Sequence, residues 1–396
     1  MYKRVQYDTL LTRINEPRRF IQVVMGPRQV GKTTTVKQVL SQLSAENYLF
    51  YSADDVLASQ SYWISDVWDV ARTQLQVNGL SEMLLVIDEI QKISRWSDVV
   101  KKEWDSDTFN DVNIKVVLLG SSRVLLQKGL AESLAGRFET IKFAHWSYKE
   151  MKEAFGLSLN QYIYFGGYPG ATSFIEDEQR WTSYVKDSII ESSINKDILM
   201  DSPIGKPALL RQTFELGAAY SGQILSLTKM LGQLQDAGNT TTLSGYLSLL
   251  NDSGLIGGLQ KYANDLSRRR GSIPKFQVYN NALRNVYAEE SYNEVVKNPK
   301  QWGRIVESAV GAYLLSNSFE LDYELFYWRE GNDEVDFIIK KNSKVVALEV
   351  KSGNDMRNSG LSKFREAFNP LHSFIVGKDG ISLEQFFLMD IAKLFH

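Results

Sequence analysis

Residues 20 to 35 read Phe-Ile-Gln-Val-Val-Met-Gly-Pro-Arg-Gln-Val-Gly-Lys-Thr-Thr-Thr, an apolar run leading into G-x-x-x-x-G-K-T. Gly26 and Gly31 free the backbone to turn its N–H groups inward, and the helix that follows points its positive end at the same spot. That chemistry is phosphate binding. Gly26, Pro27, Arg28, Gln29, Val30, Gly31, Lys32, Thr33 and Thr34 are expected to wrap a nucleoside triphosphate, ATP. Lys32 would reach the β- and γ-phosphates, and the Thr33 hydroxyl would face Mg2+. The run Met83-Leu-Leu-Val-Ile-Asp-Glu-Ile then reads as a buried strand ending in two acids. Asp88 is expected to hold Mg2+ through water and Glu89 to polarise the attacking water, so the expected chemistry is hydrolysis rather than binding alone.

A second set of acids lies near the C-terminal end. Val335-Asp-Phe-Ile-Ile-Lys and Val345-Val-Ala-Leu-Glu-Val-Lys flank a turn at Lys341-Asn-Ser-Lys. A turn centred between Asn342 and Ser343 sets Asp336 opposite Glu349, and the strand period of two brings Lys351 to the same face. Opposed carboxylates repel unless a cation joins them. The register therefore predicts Mg2+ on Asp336 and Glu349, with Lys351 orienting water or offsetting phosphate charge.

These residues need a scaffold. The first 150 residues alternate strands and helices, the pattern of a doubly wound α/β domain, with Tyr48–Tyr51 and Ile114–Leu119 as further strands. A helix over about Trp63 to Gln76 carries Trp63, Val67, Val70, Ala71 and Leu75 as its core stripe. Mostly helical sequence follows Phe165-Gly-Gly-Tyr-Pro-Gly, and Ile204-Gly-Lys-Pro reads as a linker or helix start. Leu225–Leu234 and Leu243–Leu250 read as two helices, the second capped by Thr242 or a neighbouring threonine, with Gly254 just past its end. Leu255-Ile-Gly-Gly-Leu-Gln-Lys-Tyr would then open a β-wing. That outline is a winged helix-turn-helix whose wing carries Arg268, Arg269, Arg270 and Lys275 as a phosphate-binding patch. The expected fold is α/β, divided into a P-loop domain over 1–155, a helical and winged-helix region over 156–275 and a small α/β domain over 276–396.

Composition narrows the chemistry. With no cysteine, disulfides, thiolate zinc sites and cysteine nucleophiles are excluded. His145, His372 and His396 are not spaced with acids as metal ligands. A formal net charge of −2 requires any nucleic-acid contact to use a local basic patch. The opening Met-Tyr-Lys-Arg-Val-Gln-Tyr-Asp has no apolar core of a signal peptide, and no apolar run approaches the ~18 residues of a membrane helix. The expectation is a cytoplasmic protein with no membrane partner.

Across Gly-Pro-Arg-Gln-Val-Gly-Lys-Thr, Val-Ile-Asp-Glu-Ile-Gln, Leu-Ala-Gly-Arg, Gly-Gly-Tyr-Pro, Glu-Val-Asp-Phe and Leu-Glu-Val-Lys, the chain resembles a prokaryotic family. Its members join an AAA-type P-loop ATPase domain to a C-terminal domain of unknown function with a restriction-endonuclease-like end. The resemblance implies that Ile114-Lys-Val-Val-Leu-Leu-Gly-Ser-Ser is a sensor strand, with Ser121 or Ser122 near the γ-phosphate; both serines equally suit caps of a helix beginning around Arg123. It sets Arg137 as the arginine that meets transition-state charge, on its own site or on a neighbour's in a homo-oligomer, with Arg123 and Arg28 as competitors. It adds Glu307 to the D…E-x-K metal site of Asp336, Glu349 and Lys351. One departure is visible: Asn280 or Asn281 stands where the family tends to carry an aspartate. The implied function is a Mg2+-dependent ATP hydrolase coupling nucleotide state to nucleic-acid binding and cleavage; the alternative is an ATP-driven switch for a protein partner, with the nuclease-like end an inactive scaffold.

Overall fold

The computed structural model describes the chain except for residues 122–128, 131–132, 201–203, 236–237, 266–268, 270 and 352–358. Two compact units result, Met1–Phe143 and Ala144–His396. Among the described residues, no helix is long and apolar enough to cross a membrane.

The first unit is built on a five-stranded parallel sheet of β1 (Ile21–Met25), β2 (Tyr48–Ser52), β3 (Met83–Asp88), β4 (Ile114–Gly120) and β5 (Phe138–Lys142), in the order β2-β3-β4-β1-β5. Every residue of β1, β3 and β4 is buried, as continuous apolar runs covered on both faces must be. The strand that separates β1 from β3 in space is β4; Tyr48–Ser52, which separates them in sequence, lies at the sheet edge and is only half-buried. Because all strands run parallel, Met25, Asp88 and Gly120 finish on one edge, and the loops that follow them share it. Helix α1 (Val5–Asn15) and α2 (Lys32–Leu40) pack together, as do α3 (Tyr62–Val77) and α4 (Trp96–Phe109). The core stripe of α3 is Ile64, Val67, Trp68 and Ala71; Val70, expected in it, is 41% exposed, because the helix turns Trp68 rather than Val70 toward α4. Asp107 fixes that choice by accepting from the Trp68 indole at 2.6 Å and the Arg72 guanidinium at 2.7 Å.

The second unit carries a six-stranded sheet in the order β11-β10-β9-β8-β6-β7, formed by β6 (Ile256–Lys261), β7 (Lys275–Val278), β8 (Glu324–Glu330), β9 (Asp333–Lys341), β10 (Lys344–Lys351) and β11 (His372–Gly377). The helix Thr240–Asp252 starts three residues earlier than the expected Leu243, capped by the Asn239 side chain on the Thr242 N–H at 2.9 Å rather than by a threonine. Strands β6 and β7 pair antiparallel, as wing strands would, but β6 also pairs in parallel with β8. The wing is thereby part of the larger sheet, and the boundary expected between 275 and 276 falls inside β7. The long helix Pro299–Leu321 lies against this sheet, with Gly311 so close to β7 that a β-carbon there would stand 2.1 Å from Gln277 Oε1. Gly166 makes a similar approach to Asn280, whose side-chain oxygen accepts from the Gly167 and Ala282 N–H groups at 3.2 Å. Asn281 donates to the carbonyls of Ile163 and Ile305 and accepts from the Ser308 hydroxyl. Asn281 thus ties three segments together through two donated bonds, work that a carboxylate lacking N–H donors could not do.

Candidate functional site

The loop between β1 and α2 is shaped by its glycines. Gly31 sits at φ 88°, where a side chain would be strained, and a β-carbon on Gly26 would stand 2.3 Å from the Phe143 carbonyl oxygen. Lys32 is buried at the helix start, its Nζ donating to the carbonyls of Gly26 at 2.9 Å and Pro27 at 2.7 Å. The amine is therefore held across the loop that the phosphates would enter. Arg4, itself buried, donates from Nη1 to the Val30 carbonyl at 3.0 Å and braces the loop from behind. A contact 26 residues away in sequence carries no local signal, and sequence reasoning missed it.

At the next strand ends the Thr33 hydroxyl donates to Asp88 Oδ2 at 2.8 Å, while Asp88 Oδ1 accepts the Glu89 N–H at 2.9 Å. Burial raises the Asp88 carboxyl above its ordinary range, against the lowering effect of the Thr33 bond. One hydroxyl and one buried carboxylate in contact form an all-oxygen donor pair, which fits Mg2+ held jointly with phosphates. Glu89 stands at φ 53°, a left-handed conformation that is costly for a side chain and turns it off the strand axis. Its Oε2 accepts from Gln91 Nε2 at 2.5 Å and from the Ser121 hydroxyl at 3.2 Å. Ser121 is thus brought to the glutamate; Ser122 and Arg123 lie outside the described residues. Gln91, which also approaches Ser121 Oγ at 3.5 Å, was not singled out from sequence, although it ends the Asp-Glu-Ile-Gln motif.

Arg137 lies elsewhere. Phe138 pairs with Ile21, the first residue of β1, whereas the phosphate loop follows the last, Met25. At about 3.3 Å per residue, roughly 15 Å of strand separates the two ends. The guanidinium donates two hydrogen bonds to the carboxylate of Asp105 on α4, at 2.7 and 3.0 Å. The structure thus places Arg137 at the end of β1 away from the phosphate loop, bonded to α4.

In the second unit, β9 and β10 pair in the expected register, Lys344 opposite Lys341 through Leu348 opposite Phe337. Continued by one pair, that register sets Glu349 opposite Asp336. Asp336 Oδ2 accepts the Val350 N–H at 2.8 Å, and Lys351 Nζ stands 3.0 Å from Glu349 Oε1. The cation among the acids is a side chain of the protein. Lys275 Nζ lies 2.8 Å from Glu307, 3.5 Å from Glu334 and 3.5 Å from Asp336, and its side chain is 0% exposed. Burial opposes a charge on this amine, but Glu307, Asp336 and Glu334 outweigh it and raise its pKa above the ordinary lysine range. Glu307 is pushed up to about 7, by burial first, against the pull of Lys275. Glu349 is raised too, by burial, with one buried oxygen, Oε2, lacking a hydrogen-bond partner. Among the described residues no three acids or histidines are grouped to hold a metal ion. Of the three residues expected to share Mg2+, Glu307 and Asp336 are joined here by the buried ammonium of Lys275, while Glu349 lies on Lys351. Lys275 is accordingly no part of a phosphate-binding wing. Arg269 is also turned inward, its Nε donating to the Ala263 carbonyl and its guanidinium over the rings of Tyr262 and Phe326. Arg268 and Arg270 lie outside the described residues.

Comparison with known proteins places an AAA domain over residues 18–152. A domain of unknown function (DUF8612) follows over 156–293, and a second (DUF4143) over 302–390. An uncharacterized protein of Methanocaldococcus jannaschii, MJ1544, is 24% identical over 82% of this chain and 73% of its own. An uncharacterized protein of Haemophilus influenzae is 24% identical over 84% of this chain and 82% of its own. A solved chain described under "Structural Basis for Katanin Self-Assembly" shares 18% identity over 40% of this chain and 50% of its own, with a TM-score of 0.26, a likeness that carries no argument. The chain carries an AAA-type P-loop domain at its N-terminal end, followed by domains of unknown function.

Proposed function

We propose that the chain is a Mg2+-dependent ATP hydrolase whose nucleotide state governs a non-cleaving C-terminal unit. The observation that carries the first half is the contact of Thr33 with Asp88 beside a Glu89 already bonded to Ser121 and Gln91. In this reading Lys32 leaves the loop carbonyls for the phosphates, Glu89 takes the proton of the attacking water, and Ser121 and Gln91 hold that carboxylate in position. Mg2+ on Thr33 and Asp88 would supply charge neutralisation at the phosphates. Arg137 would complete a neighbouring copy's site, which makes the working form a homo-oligomer. Comparing Mg2+-dependent ATP turnover by wild type and Glu89→Gln tests the reading.

Lys275 favours the non-cleaving half: its ammonium satisfies Glu307 and Asp336 where a nuclease would need a metal. The second reading, metal-dependent cleavage of DNA or RNA, is favoured by the convergence of Glu307, Asp336, Glu349 and Lys351. The two separate on incubation of the full chain with single- and double-stranded DNA and RNA in Mg2+ or Mn2+. No cleavage supports the switch; cleavage abolished by Asp336→Ala, with ATP hydrolysis intact, supports the nuclease. ATP turnover with and without the same nucleic acids addresses the partner, since stimulation points to nucleic acid and indifference to protein.

A further inference from the structure

The phosphate loop is gripped by a segment that lies far from it in sequence. Arg4, at the start of α1, is only 4% exposed. A guanidinium tolerates such burial when hydrogen bonds or a ring face meet it. Here Nη1 donates to the Val30 carbonyl at 3.0 Å, and the guanidinium lies over the Phe143 ring, 5.4 Å from its centroid. The flanking residues extend the grip. Gln38 of α2 donates from Nε2 to the Tyr2 carbonyl at 3.0 Å, and Gln6 Nε2 donates to the carbonyl of Lys142, the last residue of β5, at 3.3 Å. Residues 2–6 thus bond in turn to the helix, the loop and the strand end that surround the cradle.

Phe143 closes the other side of the loop. Its N–H donates to the Met25 carbonyl at 2.8 Å, and its own carbonyl oxygen would stand 2.3 Å from a β-carbon on Gly26. The loop is therefore pinned at Gly26 by Phe143 and at Val30 by Arg4, and the stacking of Arg4 on Phe143 joins the two pins. The pin at Val30 has a consequence for the neighbouring N–H. A trans peptide is planar, with its C=O and N–H pointing in opposite directions, and the Val30–Gly31 bond is trans. Holding the Val30 carbonyl on Arg4 aims the Gly31 N–H the other way. Gly31, at φ 88°, has no β-carbon to confine its own rotation, so the orientation of this peptide must be set from outside.

We infer that Arg4 is a positioning residue of the nucleotide site: it fixes the Val30–Gly31 peptide so that the Gly31 N–H meets a phosphate of the bound nucleotide. The inference rests on the ATP-binding reading above and adds to it a residue from outside the loop motif. Arg4 acts through the backbone and does not itself touch the nucleotide. A backbone N–H bonds the phosphates in the ground state and the transition state alike, so the effect falls on binding and KM rather than on kcat. A residue that merely kept the domain folded would behave differently. Its loss would lower the active fraction, and with it the apparent kcat, at an unchanged KM.

The test is calorimetric titration of the full chain with ADP in Mg2+, beside steady-state ATP turnover, for wild type, Arg4→Met and Arg4→Lys. Arg4→Met keeps an unbranched side chain under Phe143 but cannot donate to Val30. It should bind ADP about tenfold or more weakly, the scale of one lost charge-assisted hydrogen bond, with KM for ATP raised by a similar factor and kcat within about twofold. Arg4→Lys keeps the charge but ends one bond short of Nη1 and lacks the planar fork, so it should recover only part of the affinity, to about threefold below wild type. Unchanged ADP affinity in Arg4→Met, or a loss confined to kcat, would overturn the inference. Should Arg4→Met not fold, Arg4→Lys decides, and wild-type affinity and KM in that variant would overturn it equally. Failure of the underlying reading looks different, because wild type itself would then bind no ADP.

Discussion

Lys32 and Lys275 are both buried amines held by oxygen, and the difference between them separates the two units chemically. Lys32 rests on two neutral carbonyls that a phosphate can outbid, whereas Lys275 rests on carboxylates. Removing Lys275 strands those acids, so Lys275→Met should destabilise the second unit by about 3–5 kcal/mol, the usual result of breaking a buried pair from one side. Urea unfolding checks this, and a loss below about 1 kcal/mol would show that the cluster is not held by the amine. Glu307 gives the cluster a pH signature. Its folded pKa of about 7 lies above the ordinary carboxyl value of 4.5, so the stability linked to its proton is full below that value and is lost as pH rises through about 7. Wild type should therefore lose up to about 2 kcal/mol relative to Glu307→Gln between about pH 5 and 8, part of the full shift being screened at a side chain 27% exposed. Parallel stability curves for the two proteins would contradict the assignment. The phosphate loop and acid pair were legible because their residues are contiguous. Lys275 was misread as a wing residue because its partner Asp336 is 61 residues away, beyond any local pattern.

At the level of elements, apolar runs identified β1, β3 and β4, since burial on both faces writes itself into a short stretch of sequence. The β9–β10 register was equally readable, fixed by a turn with Asn342 in the left-handed region. Strand order was not, because pairing joins segments far apart in the chain; hence β2 at the edge, and β6 and β7 inside the larger sheet. Order matters most for Arg137, which the β1–β5 pairing carries to the end of the sheet opposite the phosphate loop. If it serves a neighbour, Arg137→Ala should lower turnover by tenfold or more, a loss of about 1.4 kcal/mol of transition-state stabilisation, with nucleotide affinity unchanged. Mixing it with Lys32→Ala should restore part of the activity, as the second variant supplies an intact arginine. Full turnover in Arg137→Ala, or a loss that mixing never repairs, would remove the residue from the mechanism. Its half-buried pair with Asp105 lies at the surface and contributes little to stability, so the variant should fold normally.

For the whole molecule, the account rests on one claim: the first unit turns over ATP with Glu89 as base, and the second receives the result without cutting anything itself. Lys32→Ala should lose most nucleotide binding, since the loop amine meets the phosphates in the ground state as well as the transition state. Glu89→Gln keeps the cradle and the Thr33–Asp88 pair while removing only the group that accepts the proton. Steady-state ATP turnover in Mg2+ by the purified chain beside Glu89→Gln, with nucleotide affinity measured on both, therefore tests the claim most directly. The account predicts Mg2+-dependent turnover that falls about 100-fold or more in the variant, the scale of a lost general base, while affinity stays within about twofold. Turnover by Glu89→Gln at the wild-type rate would contradict it.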